Sequence, residues 1–365
     1  MSMGKVKVAL LGIGGYARIY VNYMLDKIDP DQVQLVAAAD PNPEGCLRLN
    51  ELKCPIYADA AELFAKEQVD LTVISTPIHL HTAHICMALN AGSHVLCEKP
   101  LCSDPADIAT IINAREKAGK FVMIGYQWSY NPAILKLKQD ILDGIYGKPL
   151  SMKALAFMGR DYAYFTRNSW AGKRRTPSGH PVHDSIANNA AAHYLHNLLF
   201  LCGESLETTA KAQSIRAKLY RANHIETFDT VVANAICGDD ISITYVASHC
   251  TCIQKKVAFQ LEFSGGKVIY DGEQITGENH AGTTVYGNPD LNGYRKIQLA
   301  IENVTAAAPF IPCGVEAAGM QVDFVKHLNQ LPIETFEDSR LRAKADTPGI
   351  WVEGLDRQLE EIFAK

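Results

Sequence analysis

No run in this sequence approaches the ~18 consecutive apolar residues that a membrane-crossing helix needs. A cationic excess is also missing. The 35 lysines and arginines face 40 aspartates and glutamates, for a formal net charge of −5, which argues against nucleic-acid and membrane-surface partners. The ten cysteines show no CxxC spacing, and the nearest pair, Cys250-Thr251-Cys252, is too little for a zinc site. No apolar h-region follows Met1-Ser2-Met3-Gly4-Lys5, so the expectation is a cytoplasmic protein with reduced thiols. Internal repeats and low-complexity tracts are absent.

What remains is an ordinary globular composition, 47% hydrophobic and 21% charged, in a 365-residue chain long enough for two domains. The pattern changes character partway along. Up to about Leu150, short apolar runs alternate with helical segments, the signature of a doubly wound parallel sheet. Beyond it, longer alternating runs predominate. Thr230–Cys237 and Ile241–His249 flank Gly238-Asp239-Asp240, and Val257–Phe263 and Lys267–Tyr270 flank Ser264-Gly265-Gly266, both hairpin signals. The expected fold is therefore α/β plus α+β: a Rossmann domain over 1–128, and over 129–365 a substrate-binding and oligomerisation domain with a large, mainly antiparallel sheet. Helices are expected over Ser185–Leu201 and Val315–Asn329. A last one is expected from Thr347-Pro348, including Trp351 and Phe363.

In the first part, the strand Val6–Leu11 runs into Gly12-Ile13-Gly14-Gly15-Tyr16-Ala17. This is G-x-G-x-x-A: Gly12 permits the tight turn, Gly14 lets backbone approach a pyrophosphate, and Ala17 allows close helix-to-sheet packing. The helix that follows offers its N-terminal amides to phosphates. Asp40, at the tip of the second strand, is placed to accept from ribose hydroxyls, and its charge disfavours a 2′-phosphate, so NAD is expected over NADP. Ser75-Thr76-Pro77 ends another strand and puts His79 and His81 beside the cofactor cleft. His84 shares a face with His81, but no carboxylate or cysteine completes a metal set, and no metal is expected. Val95-Leu96-Cys97-Glu98-Lys99-Pro100 then ends a buried strand abruptly. A lysine there stands where open α/β sheets bind ligands.

Gly12-x-Gly14-x-x-Ala17, Asp40, Thr76-Pro77-x-x-x-His81 and Ala91-Gly92-Ser93-His94-Val95-Leu96-Cys97-Glu98-Lys99-Pro100 together resemble the glucose–fructose oxidoreductase / inositol dehydrogenase (Gfo/Idh/MocA) family. The resemblance covers residues 5–150 well and is patchy beyond. It implies an NAD(P) domain followed by an open-sheet domain, with Lys99 contacting both substrate and nicotinamide and a Lys99–Pro100 bond that is often cis. It also implies a homodimer or homotetramer formed through the C-terminal sheet, with the alternating apolar residues of Ile241–Val246 as interface candidates. An arginine frequent in the family after the strand Phe121–Ile124 is missing here. Tyr126, Gln127 and Trp128 take its place beside the nicotinamide, Gln127 toward the cofactor and Trp128 toward the substrate.

The family's Asp-x-x-x-His motif matches Asn189 and His193. On a continuous helix the two would share a face, so that Asn189 orients the His193 ring. His193 is then the expected general base and Lys99 the electrostatic partner of a developing alkoxide. An amide in place of the family's carboxylate leaves His193 a weaker proton acceptor; Asp184 lacks the helical spacing to supply the missing carboxylate, though folding could bring it near. Arg160–Trp170 mixes aromatic and basic residues. Tyr164, Arg167 and Trp170 suit a polyhydroxylated small molecule. The leading expectation is an NAD(P)-dependent oxidoreductase acting on a secondary hydroxyl or carbonyl of a sugar, cyclitol or related polyol. The alternatives are a glycosidase that uses NAD transiently and a non-catalytic NAD-binding sensor.

Overall fold

The computed structural model describes residues 4–343 and 349–365. Short, wholly apolar runs become the strands of a parallel sheet, because such strands are covered on both faces. Strand β1 (Val6–Leu11) leads through a 3-10 turn at Gly15–Ala17 into α1 (Arg18–Asp26). There follow β2 (Val33–Ala39), β3 (Ile56–Tyr57), α2 (Ala60–Lys66), β4 (Leu71–Ile74), α3 (His81–Asn90), β5 (His94–Cys97), α4 (Ala106–Ala118) and β6 (Val122–Ile124). The sheet order is β3-β2-β1-β4-β5-β6, all parallel, so the order reverses between β1 and β4. Ligands bind such sheets beyond the carboxyl ends of the strands at that reversal.

The chain then builds a second unit. Asn131 caps α5 (Pro132–Leu142) by accepting from Ala133 N–H at 2.8 Å. Next come β7 (Pro149–Phe157), α6 (Tyr162–Thr166), α7 (Ala192–Leu201), β8 (Ala212–Arg221), β9 (Thr230–Cys237), β10 (Ile241–Ser248), β11 (Lys255–Phe263), β12 (Gly266–Tyr270), β13 (Ile275–Asn279) and β14 (Gly282–Gly287). Helix α8 (Arg295–Thr305) returns to the first unit. It is followed by α9 (Val315–Leu328), β15 (Ile333–Thr335), β16 (Leu341–Ala343), β17 (Ile350–Val352) and α10 (Leu355–Ala364). The second sheet has nine strands in the order β14-β13-β12-β11-β7-β10-β9-β8-β15. It is antiparallel except where β7 meets β10 and β8 meets β15.

By internal contacts, the first unit comprises residues up to Cys102, Ala106–Tyr130 and Asn292–Val315. The second comprises Ser103–Pro105, Asn131–Leu291 and Glu316–Lys365. A single cut after residue 128 therefore misses the returning segment, whose Cys313 carbonyl accepts from the Ile124 amide at 2.9 Å.

Three expectations change. The start of the final helix at Thr347-Pro348 lies outside the described residues; α10 begins after Gly354, with Phe363 in it and Trp351 in β17. Helix Ser185–Leu201 forms only from Ala192. The Asn188 amide donates to the Val182 and His183 carbonyls, both at 3.2 Å, the local competition by which asparagine resists a helix interior. Ile241, Ile243 and Tyr245 are buried in the protein's own core, so they do not form an exposed interface stripe. The opposite face of β10 carries Ser242 and Thr244, with Asn234 of β9 accepting from Thr244. At its far end that face is apolar at Val246, Leu155 and Phe157, and there α10 covers it with Leu355, Leu359 and Phe363.

Candidate active site

At the carboxyl ends of β1, β2 and β4 the first unit forms a tight cradle. The Gly12 N–H donates to Ala39 O, and the Ser75 N–H to Leu11 O, each at 2.8 Å. Gly12 has φ +85°, and a Cβ there would stand 2.7 Å from the Ser75 carbonyl, so only glycine fits. Gly14 and Gly15 have no close neighbour at the Cβ position, Ala17 is fully buried, and the Tyr16 ring is exposed with its hydroxyl 3.5 Å from Gln127 Oε1. The Asp40 carboxylate accepts from the Ile13 and Asn42 amides at 2.9 Å each. Asp40 thus braces the glycine loop and still stands half-exposed at its edge. A backbone cradle with an acid at the tip of the second strand fits a dinucleotide.

Lys99 follows β5 and is half-buried, and the Lys99–Pro100 bond is cis. Behind it, Glu98 is 6% exposed. Its Oε1 accepts from the Tyr20 hydroxyl at 2.5 Å and from the Lys296 ammonium, and its Oε2 accepts from the Lys99 amide at 3.2 Å. Burial opposes the charge on Glu98, but the Lys296 ammonium in contact with it holds the carboxyl below its ordinary value. Glu98 is a buried anchor beneath the turn, with no free face for a cofactor.

His81 has the same character. It is 1% exposed, with Nδ1 2.8 Å from Pro100 O and Nε2 3.0 Å from Thr76 O. Burial pulls its pKa down despite these two carbonyls. The ring lies between the turn after Lys99 and the loop after β4, with both its nitrogens turned to backbone carbonyls. His84 Nδ1 lies 3.0 Å from Thr76 Oγ1, while Ser75, Thr76, Pro77 and His79 stay half-buried at the cleft edge. Trp128 and Tyr126 are buried, at 3% and 1% exposure, which removes Trp128 as a side chain offered to substrate; Gln127 between them is accessible. Among the described residues no group of histidine, cysteine and carboxylate side chains could hold a metal.

The second unit has its own cluster. Asp161 caps the one-turn helix α6, accepting from Tyr164 N–H at 2.9 Å. The Arg167 guanidinium lies 4.0 Å from the centre of the Tyr164 ring and 5.3 Å from that of Trp170; Arg160 lies 4.6 Å from the Tyr164 ring. Arg167 donates to Asp184 at 3.2 Å. The same buried carboxylate accepts from the Gly172 amide at 2.8 Å and from the Asn189 side chain at 2.7 Å. Asn189 therefore precedes the helix of His193 and does not share a face with it. Asp184 enters the cluster through the turn 185–191. His193 and Tyr194 are half-buried where their helical neighbours are fully buried, with ring centres 6.4 Å apart. The Tyr194 phenol is pushed up to about 12 by burial and the Asp290 charge, with Arg160 opposing.

Sequence reasoning missed Lys296, Tyr20, Arg160, Tyr194 and the hub role of Asp184. A buried acid in Glu98-Lys99-Pro100 signals that a cation is needed, but nothing in spacing says which of the chain's lysines supplies it.

Residues 6–126 match the family model GFO_IDH_MocA, described as an oxidoreductase family with an NAD-binding Rossmann fold. The chain is 28% identical over 170 residues to a 1-carboxy-3-chloro-3,4-dihydroxycyclohexa-1,5-diene dehydrogenase of Comamonas testosteroni, covering 45% of this chain and 41% of that protein. It is 27% identical over 146 residues to an inositol 2-dehydrogenase of Acidothermus cellulolyticus, covering 40% and 43%. The chain spans less than half the length of these curated relatives. The fold is similar to that of the WlbA dehydrogenase from Bordetella pertussis, solved with NADH and UDP-GlcNAcA. The TM-score is 0.72 at 21% identity, covering 88% of this chain and 94% of that one.

Proposed function

We propose, from the match of residues 6–126 to the GFO_IDH_MocA family of NAD-binding oxidoreductases, that the chain oxidises a secondary hydroxyl, or reduces the matching carbonyl, of a sugar, cyclitol or related polyol. The carrying observation is Lys99: a half-buried lysine two residues past a strand of the Rossmann sheet, on a turn held by the Glu98 carboxylate and by His81. NAD, when bound, supplies the hydride acceptor. Gly12, Gly14 and Gly15 would hold its diphosphate, with Ala17 packing the turn closely against the sheet beneath, Asp40 would hold its ribose, and Tyr16 and Gln127 would border it.

On the protein's side, the reaction needs one group to take the hydroxyl proton and another to stabilise the oxygen that loses it. Neutral His193 is assigned the first role, a step that contributes roughly 10²–10⁴-fold. Lys99 is assigned the second. An ammonium ~4 Å from the oxygen at an effective dielectric near 20 stabilises its charge by about 4 kcal/mol. Tyr164, Arg167 and Trp170 supply aromatic faces and guanidinium donors for a polyhydroxylated ligand. Asn189 acts on the site through Asp184. The curated relatives are named for dehydrogenation of a dihydroxylated ring and of inositol, which supports this substrate class. We further propose a homodimer or homotetramer formed through the open polar face of the nine-stranded sheet, testable by light scattering at micromolar concentration.

A panel of inositols, aldoses and their acids, followed at the NADH absorbance, tests the activity. A substrate is expected to emerge, with Lys99→Ala lowering kcat by about 10²–10³-fold, the size of loss seen when an oxyanion donor is removed. Full activity in that variant defeats the assignment. Glycoside cleavage without net NADH favours the transient-redox glycosidase, and NAD binding with no turnover favours a sensor.

A further inference from the structure

Glu98 is almost entirely shut off from water. Tyr20 and Lys296 occupy one oxygen, the Lys99 amide the other, and a Cβ at Gly125 would stand 3.0 Å from the carboxyl atoms. Lys296 is 1% exposed and reaches this point from α8, 198 residues along the chain. Its ammonium lies 5.3 Å from the centre of the Tyr16 ring and 5.2 Å from that of Tyr20. Burial works against the charge of Lys296, and Glu98 more than offsets it, holding Lys296 above its ordinary value. Both tyrosines are pushed up by burial and the Glu98 charge, so both are neutral partners.

This arrangement has an electrostatic effect on the next residue. Lys296, in contact with Glu98, takes up most of its charge, and Lys99 adds a smaller pull on it; without Lys296 the buried carboxylate would draw the neighbouring Lys99 ammonium more strongly as its counter-ion. We propose that Lys296 is a positioning residue for Lys99: it takes up the Glu98 charge, so that the Lys99 ammonium serves the bound ligand and not the adjacent carboxylate, and it fixes the carboxylate whose second oxygen anchors the Lys99 amide. The role rests on the reading of Lys99 given above. The ionisable groups around the pair are Tyr16 before α1, Tyr20 on α1 and Lys99 after β5, with Cys97 at the end of β5.

The test reads the sign of a shift. The full-length protein is reductively methylated with ¹³C, and the Lys99 signal, assigned by its loss in Lys99→Arg, is titrated between about pH 7 and pH 11. In Lys296→Met the Lys99 midpoint rises by about one pH unit, because an uncompensated anion favours the charged amine. In Glu98→Gln it falls, because an uncompensated cation disfavours it. In Glu98→Gln/Lys296→Met it returns to the wild-type value. Loosening of the turn would move both single variants the same way, so shifts of equal sign, or none in Lys296→Met, overturn the proposal. Circular dichroism checks folding, and if Lys296→Met does not fold, the fall in Glu98→Gln decides. With any polyol from the panel that the wild type oxidises, each single variant lowers kcat about tenfold and the double variant recovers most of it. A wild type that oxidises none defeats the dehydrogenase reading, while the titration still judges Lys296.

Discussion

Lys99 stands directly behind a four-residue strand, over a carboxylate buried with its own cation; His193 stands behind a seven-residue turn held by side-chain hydrogen bonds around Asp184. In the first unit the parallel sheet fixes Lys99, and dry electrostatics secure it. In the second, the sheet lies at a remove, and a half-exposed network of arginine, aspartate and asparagine does the positioning. Contacts of the first kind tolerate little. Those of the second kind are individually weaker, because the Arg167 guanidinium that reaches the buried Asp184 carboxylate stands partly in solvent, which screens the pair.

His193→Asn tests the second unit most severely. Turnover is expected to fall by roughly 10²–10⁴-fold, as for a lost general base. A fall under tenfold would move the base elsewhere and leave chemistry in the first unit alone. Gly12→Val probes the rigid cradle: with φ +85° and the Ser75 carbonyl 2.7 Å from the new Cβ, the loop must shift. The NAD dissociation constant, read by tryptophan fluorescence, should then rise about tenfold or more, the equivalent of ~1–3 kcal/mol of backbone strain. Arg167→Ala should raise the substrate KM several-fold with little change in kcat. An unchanged KM would remove the aromatic–guanidinium cluster from the ligand site.

Acid affects both units, with smaller effect. Burial lowers His84 and His94 in the first unit to about 4 and His196 in the second to about 3, against an ordinary 6.5. Folded, these rings stay neutral, while the unfolded chain takes up protons below about pH 6.5. Stability is therefore complete above that pH and declines as pH falls toward 4. For fully buried His196 the loss reaches about 2 kcal/mol by roughly pH 5, and it is less for the partly exposed pair. Thermal melts at pH 7 and pH 5 should differ less in His196→Leu than in wild type.

Residues 6–126 were readable because their determinants are local. A glycine permits a turn, an apolar quartet makes a strand, and proline ends it, so the cradle, Asp40 and Lys99 fall where adjacent residues dictate. The burial of His81 and its two backbone carbonyl neighbours were not legible, since burial is a property of the assembled layers. Asn189 misled because four-residue spacing means a shared face only if the intervening residues are helical. The asparagines at 188 and 189 spend their amides on Val182, His183 and Asp184 and delay the helix to Ala192. Ile241 and Ile243 alternated as an interface strand would, but alternation does not say which face the protein covers itself. Lys296 was beyond reach, because a contact 198 residues apart leaves no periodic trace.

The return of Asn292–Val315 to the first unit matters for anyone dissecting the protein. A fragment ending at Tyr130 would retain every motif by which the nucleotide-binding half is identified. It would also lose α8, leaving Glu98 without the ammonium of Lys296 and the Ile124 amide without the Cys313 carbonyl. A fragment that keeps these contacts is therefore spliced, residues 4–130 joined by a linker to 292–315, and not the stretch that sequence matching outlines.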